Sequence, residues 1–283
     1  MGQGMARNLH KAGLLAAVWN RSQPKAEALA AETGAHAATD PAAVAAAVEV
    51  LVLCVSADGD VLDVIDALRP GAHPGLTVVD CSTVSADTAR EAAARLAARG
   101  AAFLDCPVSG GVEGARDGTL AIMCGGSAEA FERARPALAA LGRTVTLMGP
   151  TGFGQATKAT NQILCAGVIQ AVAEAMAFAK AEGLPLDKVI ETLGKGAGSS
   201  WYFVNRAPFM ARGSYPAGFR VRLHDKDLGI CHDMAARHGA QLPIVEATRI
   251  HYRRLIETGH GDEDISTIVR LKDALFSGGG TPH

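Results

Sequence analysis

Thr144-Val145-Thr146-Leu147-Met148-Gly149-Pro150-Thr151-Gly152-Phe153-Gly154-Gln155-Ala156-Thr157-Lys158-Ala159-Thr160-Asn161 is where this chain changes its period. Before the Gly-Pro-Thr-Gly punctuation the apolar run 144–147 reads as a strand. After it, 155–182 is free of proline and carries apolar residues at helical spacing. At about 1.5 Å per residue, those roughly 28 residues predict a helix about 42 Å long. The junction therefore separates two kinds of structure.

Upstream, short apolar runs at 16–19, 50–55, 76–80, 102–105, 120–123 and 144–147 read as strands. Ala-rich amphipathic stretches at 3–12, 24–32, 60–68, 85–98 and 128–141 read as helices between them. Nearly continuous apolar strands alternating with helices predict a doubly wound, Rossmann-like α/β parallel sheet covered on both faces. Downstream the pattern is helical only: 186–193, 201–210, 226–238, 243–258 and 263–276, with Asp187 a plausible N-cap after Leu184-Pro185-Leu186. The expected organisation is a dinucleotide-binding domain over 1–151 and an all-α substrate and dimerisation domain over 152–283, joined through the long helix. The Gly-rich tail 277–283 is expected to fray.

Composition narrows the function classes. Of 283 residues, 48% are apolar and 20% charged, with a net charge of −2 and both signs scattered. That supports a packed core and offers no basic block for nucleic acid or an acidic membrane surface. Cys54, Cys81, Cys106, Cys124, Cys165 and Cys231 form no C-x-x-C pair and no metal-ligand spacing. Reduced, mostly buried thiols in a cytoplasmic protein are the expectation, with no metal. No apolar run is expected to reach the roughly 18 residues a membrane span needs, and no charged-then-apolar leader is read at the start.

The chain opens Met1-Gly2-Gln3-Gly4-Met5-Ala6-Arg7. As a dinucleotide fingerprint, Gly2-x-Gly4 fails, because Arg7 stands where the third glycine belongs. The better alignment makes Gly2 the last glycine, the one that lets helix and strand pack closely. It places the first strand and the first two glycines upstream of residue 1. The next strand ends in Asn20-Arg21-Ser22. An acid near this point binds the ribose 2′-hydroxyl of NAD, whereas an Arg accommodates the 2′-phosphate of NADP. With Asn20 and Arg21 here and no acid before Glu27, NADP is preferred over NAD; a solvated surface Arg is the alternative.

Two further motifs carry chemistry. Ser109-Gly110-Gly111 follows a strand end and a Pro, so backbone N–H groups and a hydroxyl can approach a carboxylate closely, although an ordinary glycine turn has the same composition. Lys158 and Asn161 stand three apart at the start of the long helix and share a face, with Gln162 beside them. A helical Lys is usually solvated. One withdrawn from water can exchange protons near neutrality.

Four segments together resemble the β-hydroxyacid dehydrogenase family, which includes 3-hydroxyisobutyrate dehydrogenases, tartronate semialdehyde reductases and glyoxylate/succinic semialdehyde reductases. They are the glycine start through Asn20-Arg21-Ser22; Asp105-Cys106-Pro107-Val108-Ser109-Gly110-Gly111 through Gly118-Thr119-Leu120; Gly152 through Asn161; and Lys226-Asp227-Leu228. The resemblance spans essentially the whole chain. It implies hydride transfer between NAD(P) and a short β-hydroxy acid or its semialdehyde. Lys158 is then the general acid/base, Asn161 orients the substrate oxygen, and Ser109, Gly110 and Gly111 bind the carboxylate. It also assigns cofactor contacts to Val55-Ser56, Thr83 and Lys226. Ser199-Ser200-Trp201-Tyr202 and Asn205-Arg206 are expected to line the far side of the pocket, Arg206 meeting a second anionic group. A homodimer or homotetramer is expected, because the long helix needs a partner surface. The competing readings are a non-catalytic cofactor-binding protein of this fold, a 6-phosphogluconate dehydrogenase and an imine reductase. Thr160 and the retained Lys158 count against the last two.

Overall fold

The computed structural model describes residues 1–277; of the tail expected to fray, 278–283 lie outside the described residues. The elements run α1 (Gly2–Lys11), β1 (Ala17–Val18), α2 (Gln23–Thr33), β2 (His36–Ala37), α3 (Pro41–Ala47), β3 (Val50–Leu53), α4 (Asp58–Leu68), β4 (Thr77–Asp80), α5 (Ala86–Ala97), β5 (Ala102–Asp105), β6 (Val108–Ser109), α6 (Gly111–Asp117), β7 (Leu120–Gly125), α7 (Ala128–Leu141), β8 (Gly142–Gly149), α8 (Phe153–Ala181), α9 (Leu186–Leu193), α10 (Trp201–Arg212), α11 (Val221–Ala236), α12 (Pro243–Glu257) and α13 (Val269–Phe276). Contacts divide the chain into a unit over 1–158 and a unit over 159–283. That division falls inside α8.

In the first unit, β3, β4 and β5 are parallel, with Val50 opposite Thr77 and Thr77 opposite Ala102. The sheet is not wholly parallel, however. β7 runs antiparallel to β5 and β6, with Asp105 opposite Gly125 and Val108 opposite Ile122, and β8 pairs parallel to β7. The reversal has a simple cause. Between β6 and β7 lies only the short α6, ended by Gly118 in the left-handed region, and a parallel return needs a crossover of about a dozen residues or more. β1 and β2 pair with each other in a separate two-stranded sheet. β2, α3, β6 and α6 are too short for periodicity to reveal.

The core strands are buried because helices cover them. Val78, Val79, Leu104 and Leu120 are fully enclosed, against Leu96 of α5 on one side and Leu138 and Leu141 of α7 on the other. Each such side chain contributes about 1.5–3 kcal/mol relative to an exposed one.

The second unit gathers Ala166, Ile169, Ala173 and Ala177 of α8 with Phe203, Leu228, Val245, Tyr252 and Ile265. α8 is long and apolar enough, at mean hydropathy 1.6, to meet the length and composition of a membrane span, which periodicity alone did not anticipate. Its buried face is spent on this helical core. Two further expectations change. Asp187 lies in the first turn of α9, whose N-cap is Pro185, so it complements the helix dipole without capping. The stretch 263–276 is a 3-10 turn over Ile265–Ile268 followed by α13, because the Asp264 side chain accepts from Ser266 N–H at 3.0 Å and sets a tight start.

Candidate active site

The start of α8 is held by residues far away in sequence. Asp105, at the end of β5 and fully buried, accepts the Gly152 N–H on Oδ1 at 2.8 Å and the Gln155 N–H on Oδ2 at 2.9 Å. One carboxylate thus satisfies two amide groups at the helix start. Burial pushes the Asp105 carboxyl up from its ordinary range, while the donated N–H groups oppose that shift. Gly154 is obligatory. A Cβ there would overlap the carbonyl oxygens of Asp105 and Met123, so only glycine lets the helix start approach the β5 and β7 backbones. Gly152 has φ +93°, where a side chain is strained. Gln155, also fully buried, donates from Nε2 to the Ser82 carbonyl at 2.8 Å and accepts the Val84 N–H at 3.2 Å. α8 is therefore fastened both to the β5 end and to the loop after β4.

Lys158 is one turn further on, 7% exposed. Such burial removes it from the solvated lysines that helices ordinarily carry. Three residues along the same helix, Asn161 is half-buried and donates from Nδ2 to Gln162 Oε1 at 2.8 Å and to Cys165 Sγ at 3.5 Å.

Ser109 ends β6 half-buried, with Gly110 at φ +129° and Gly111 at φ +66°. Both glycines occupy backbone conformations that other residues resist, so the motif is a shaped turn. Its neighbours Cys106 and Cys124 are buried, and burial keeps the Cys106 thiol protonated by pushing its pKa well up.

The residues expected at the cofactor fall at strand ends of the first unit. After β1, Asn20 Oδ1 accepts the Ser22 N–H at 2.9 Å, and the Arg21 side chain is 87% exposed with Asp60 3.4 Å away. After β3, the Val55 N–H donates to Ser82 Oγ at 2.9 Å and Ser56 is exposed. Thr83 is half-buried in the loop after β4. Gly2 lies in the first turn of α1, but the close approach expected of it is not enforced: a Cβ would sit 3.8 Å from Cys54 Cβ, an ordinary contact. That constraint falls on Gly4, whose Cβ would come within 2.8 Å of the Ala115 carbonyl oxygen in α6.

In the second unit, Lys226 pairs with Asp227 at 2.9 Å, and Asp227 accepts from Gln162 Nε2 at 2.7 Å. His224 joins this polar cluster through the Gln162 carbonyl at 3.4 Å and bonds Tyr252 OH at 3.0 Å. Arg206 corrects an expectation. It is 5% exposed, lies 3.3 Å from the buried Asp264 and stacks over Trp201 and Phe209. Asp264 already supplies its anion, so Arg206 is a structural ion pair. Asn205 donates back to the Trp201 carbonyl, and Ser200 Oγ caps α10 through Phe203 N–H at 3.0 Å.

Sequence reasoning missed Asp105, Asp80, Ser82, Gln155 and Asp227. A strand-final Asp and a Gln in a helix's first turn were visible, but Asp105 and Gly152 are 47 residues apart, and no local spacing links them.

Residues 1–149 match the NAD binding domain of 6-phosphogluconate dehydrogenase, and residues 152–272 match the family described as NAD-binding of NADP-dependent 3-hydroxyisobutyrate dehydrogenase. An uncharacterized oxidoreductase of Shewanella frigidimarina is 42% identical over 247 residues, covering 86% of this chain and 85% of that one. The NAD-dependent L-serine dehydrogenase of Pseudomonas aeruginosa is 36% identical over 286 residues, 96% of this chain and 95% of its own. The crystal structure of 3-hydroxyisobutyrate dehydrogenase from Salmonella typhimurium is 36% identical and superposes with a TM-score of 0.85, covering 95% of each chain. With both units matched and the motifs seated on the strand ends and helix start described, the chain belongs to the β-hydroxyacid dehydrogenase family, oxidoreductases that bind NAD(P) and act on small hydroxy acids.

Proposed function

We propose that the chain catalyses hydride transfer between NADP, or less favourably NAD, and a short acid bearing a hydroxyl or aldehyde β to its carboxylate, with Lys158 as general acid/base. The observation that carries this reading is a buried lysine one turn into a helix whose start is fixed by Asp105 and Gln155. The exposed Arg21, Asn20, Ser22 and Ser56 and the half-buried Thr83 form a donor set suited to the phosphates and ribose hydroxyls of a dinucleotide. Gly2, Val55 and Lys226 join that set on the family resemblance. When bound, the nicotinamide supplies or accepts the hydride.

The chain's own residues manage the substrate and the proton. The Ser109 hydroxyl and the amides of Gly110 and Gly111 hold the carboxylate. Asn161 orients the reacting oxygen. In reduction the Lys158 ammonium donates a proton to that oxygen; in oxidation its neutral amine takes the hydroxyl proton. Names borne by relatives, L-serine dehydrogenase and 3-hydroxyisobutyrate dehydrogenase, favour three- to four-carbon 3-hydroxy acids. A cytoplasmic homodimer or homotetramer completes the proposal.

Lys158→Ala tests it. Turnover with NADPH and short semialdehydes should fall by about 10²–10⁴-fold, with NADPH binding retained. Near-parent turnover would remove Lys158 from the chemistry.

A further inference from the structure

β4 ends in Asp80, a fully enclosed carboxyl whose Oδ2 has no hydrogen-bond partner among the described residues. Its Oδ1 accepts the Ser82 N–H at 2.9 Å. Ser82, itself buried, passes the constraint on in two directions. Its Oγ accepts the Val55 N–H at 2.9 Å, and its carbonyl accepts from Gln155 Nε2 at 2.8 Å. The loops are locked a second time by Asp58, at the start of α4, which accepts from Ser85 N–H at 2.9 Å and Thr88 Oγ1 at 2.6 Å. The segments following β3 and β4, both assigned above to the cofactor, therefore form one interlocked unit. Asp80 is the ionisable group behind it.

We propose that Asp80 is a positioning residue for the dinucleotide: its carboxylate, acting through Ser82, holds the Val55-Ser56 and Ser82-Thr83-Val84 backbones in the spacing that the cofactor requires. This rests on the assignment of those two loops to the cofactor. A carboxylate suits the task because a charged acceptor makes hydrogen bonds roughly twice as strong as a neutral one. With its backbone N–H held by that carboxylate, Ser82 is placed so that its Oγ accepts the Val55 N–H. A protonated carboxyl is a weaker, neutral acceptor, which loosens its hold on the Ser82 N–H.

The surroundings disfavour the charge. Burial pushes Asp80 up to about 7, and the carboxylates of Asp105 on β5 and Asp58 on α4 push the same way. The adjacent thiols of Cys54 and Cys81 are themselves raised by burial and stay neutral. The change from acid to carboxylate consequently falls in the neutral range, where it can be followed.

The experiment titrates the full-length protein with NADH, which has no 2′-phosphate to ionise nearby, by protein-fluorescence quenching between pH 5.5 and 8.5. The parent should bind more tightly as pH rises through about 7. Asp80→Asn should raise the dissociation constant about tenfold at pH 8, equivalent to about 1.4 kcal/mol, and flatten the pH dependence. Ser82→Ala should reproduce the loss at pH 8. An Asn variant with the parent's affinity, or with weakened affinity but the parent's pH profile, overturns the proposal. So does a flat profile in the parent, which needs no variant to fold. A parent that binds neither NADH nor NADPH overturns the loop assignment itself, and this inference with it.

Discussion

Asp105→Asn keeps the volume of the side chain that fastens the start of α8 and removes its charge. The carboxylate accepts two buried N–H groups, from Gly152 at 2.8 Å and Gln155 at 2.9 Å. An amide offers one acceptor and turns an NH2 toward the other donor. One buried backbone N–H and the new NH2 then lack partners, each at about 1–3 kcal/mol. Losing a negative charge at the helix N-terminus adds about 0.3–1 kcal/mol. Against this, a neutral group escapes the desolvation that raises the Asp105 carboxyl. The balance is a loss of about 2–4 kcal/mol. Urea unfolding should show it as a lowered midpoint at unchanged slope. Because Lys158 rides one turn further along this helix, turnover should also fall about 10–100-fold through misplacement of the amine. An Asn variant with the parent's unfolding midpoint and turnover would refute the claim that Asp105 positions α8.

Gly154→Ala should destabilise by about 3 kcal/mol or more, since the obstructing atoms are the Asp105 and Met123 carbonyls and neither can rotate away; thermal unfolding and soluble yield measure this. Arg21→Ala should raise KM for NADPH about tenfold, the worth of one charged hydrogen bond, and leave KM for NADH nearly unchanged; equal effects on both would remove Arg21 from cofactor selection. Stability should also depend on pH through Asp80, whose folded value of about 7 exceeds its ordinary 3.8. The folded chain keeps that proton where the unfolded chain has lost it, so the contribution is full below about pH 4, declines as pH rises to about 7 and is flat above. The total is about 4 kcal/mol, and Asp80→Asn should abolish it when unfolding is compared at pH 5 and pH 8.

The sequence by itself determined the elements whose apolar pattern is long. α9 and α7 were read to the residue or nearly so, and α8 was plain from its proline-free period. Ser109-Gly110-Gly111 stands out locally as a glycine pair after a strand end, whereas Lys158 is singled out by the family resemblance and not by its spacing. Short elements were not, since two residues of β2 or β6 carry no period. The antiparallel β7 was likewise hidden, because strand direction depends on how much chain the connection contains and where it folds back. Arg206 shows the limit most clearly: in sequence it is a cation beside a predicted pocket, while in the fold its charge belongs to Asp264, 3.3 Å away. Only the tertiary structure decided that Asp105 caps α8 and that Asp80 and Ser82 tie together the loops after β3 and β4. The physical reason is the same in each case. A buried polar group must find its partner in space, and chain distance does not say which group that partner will be.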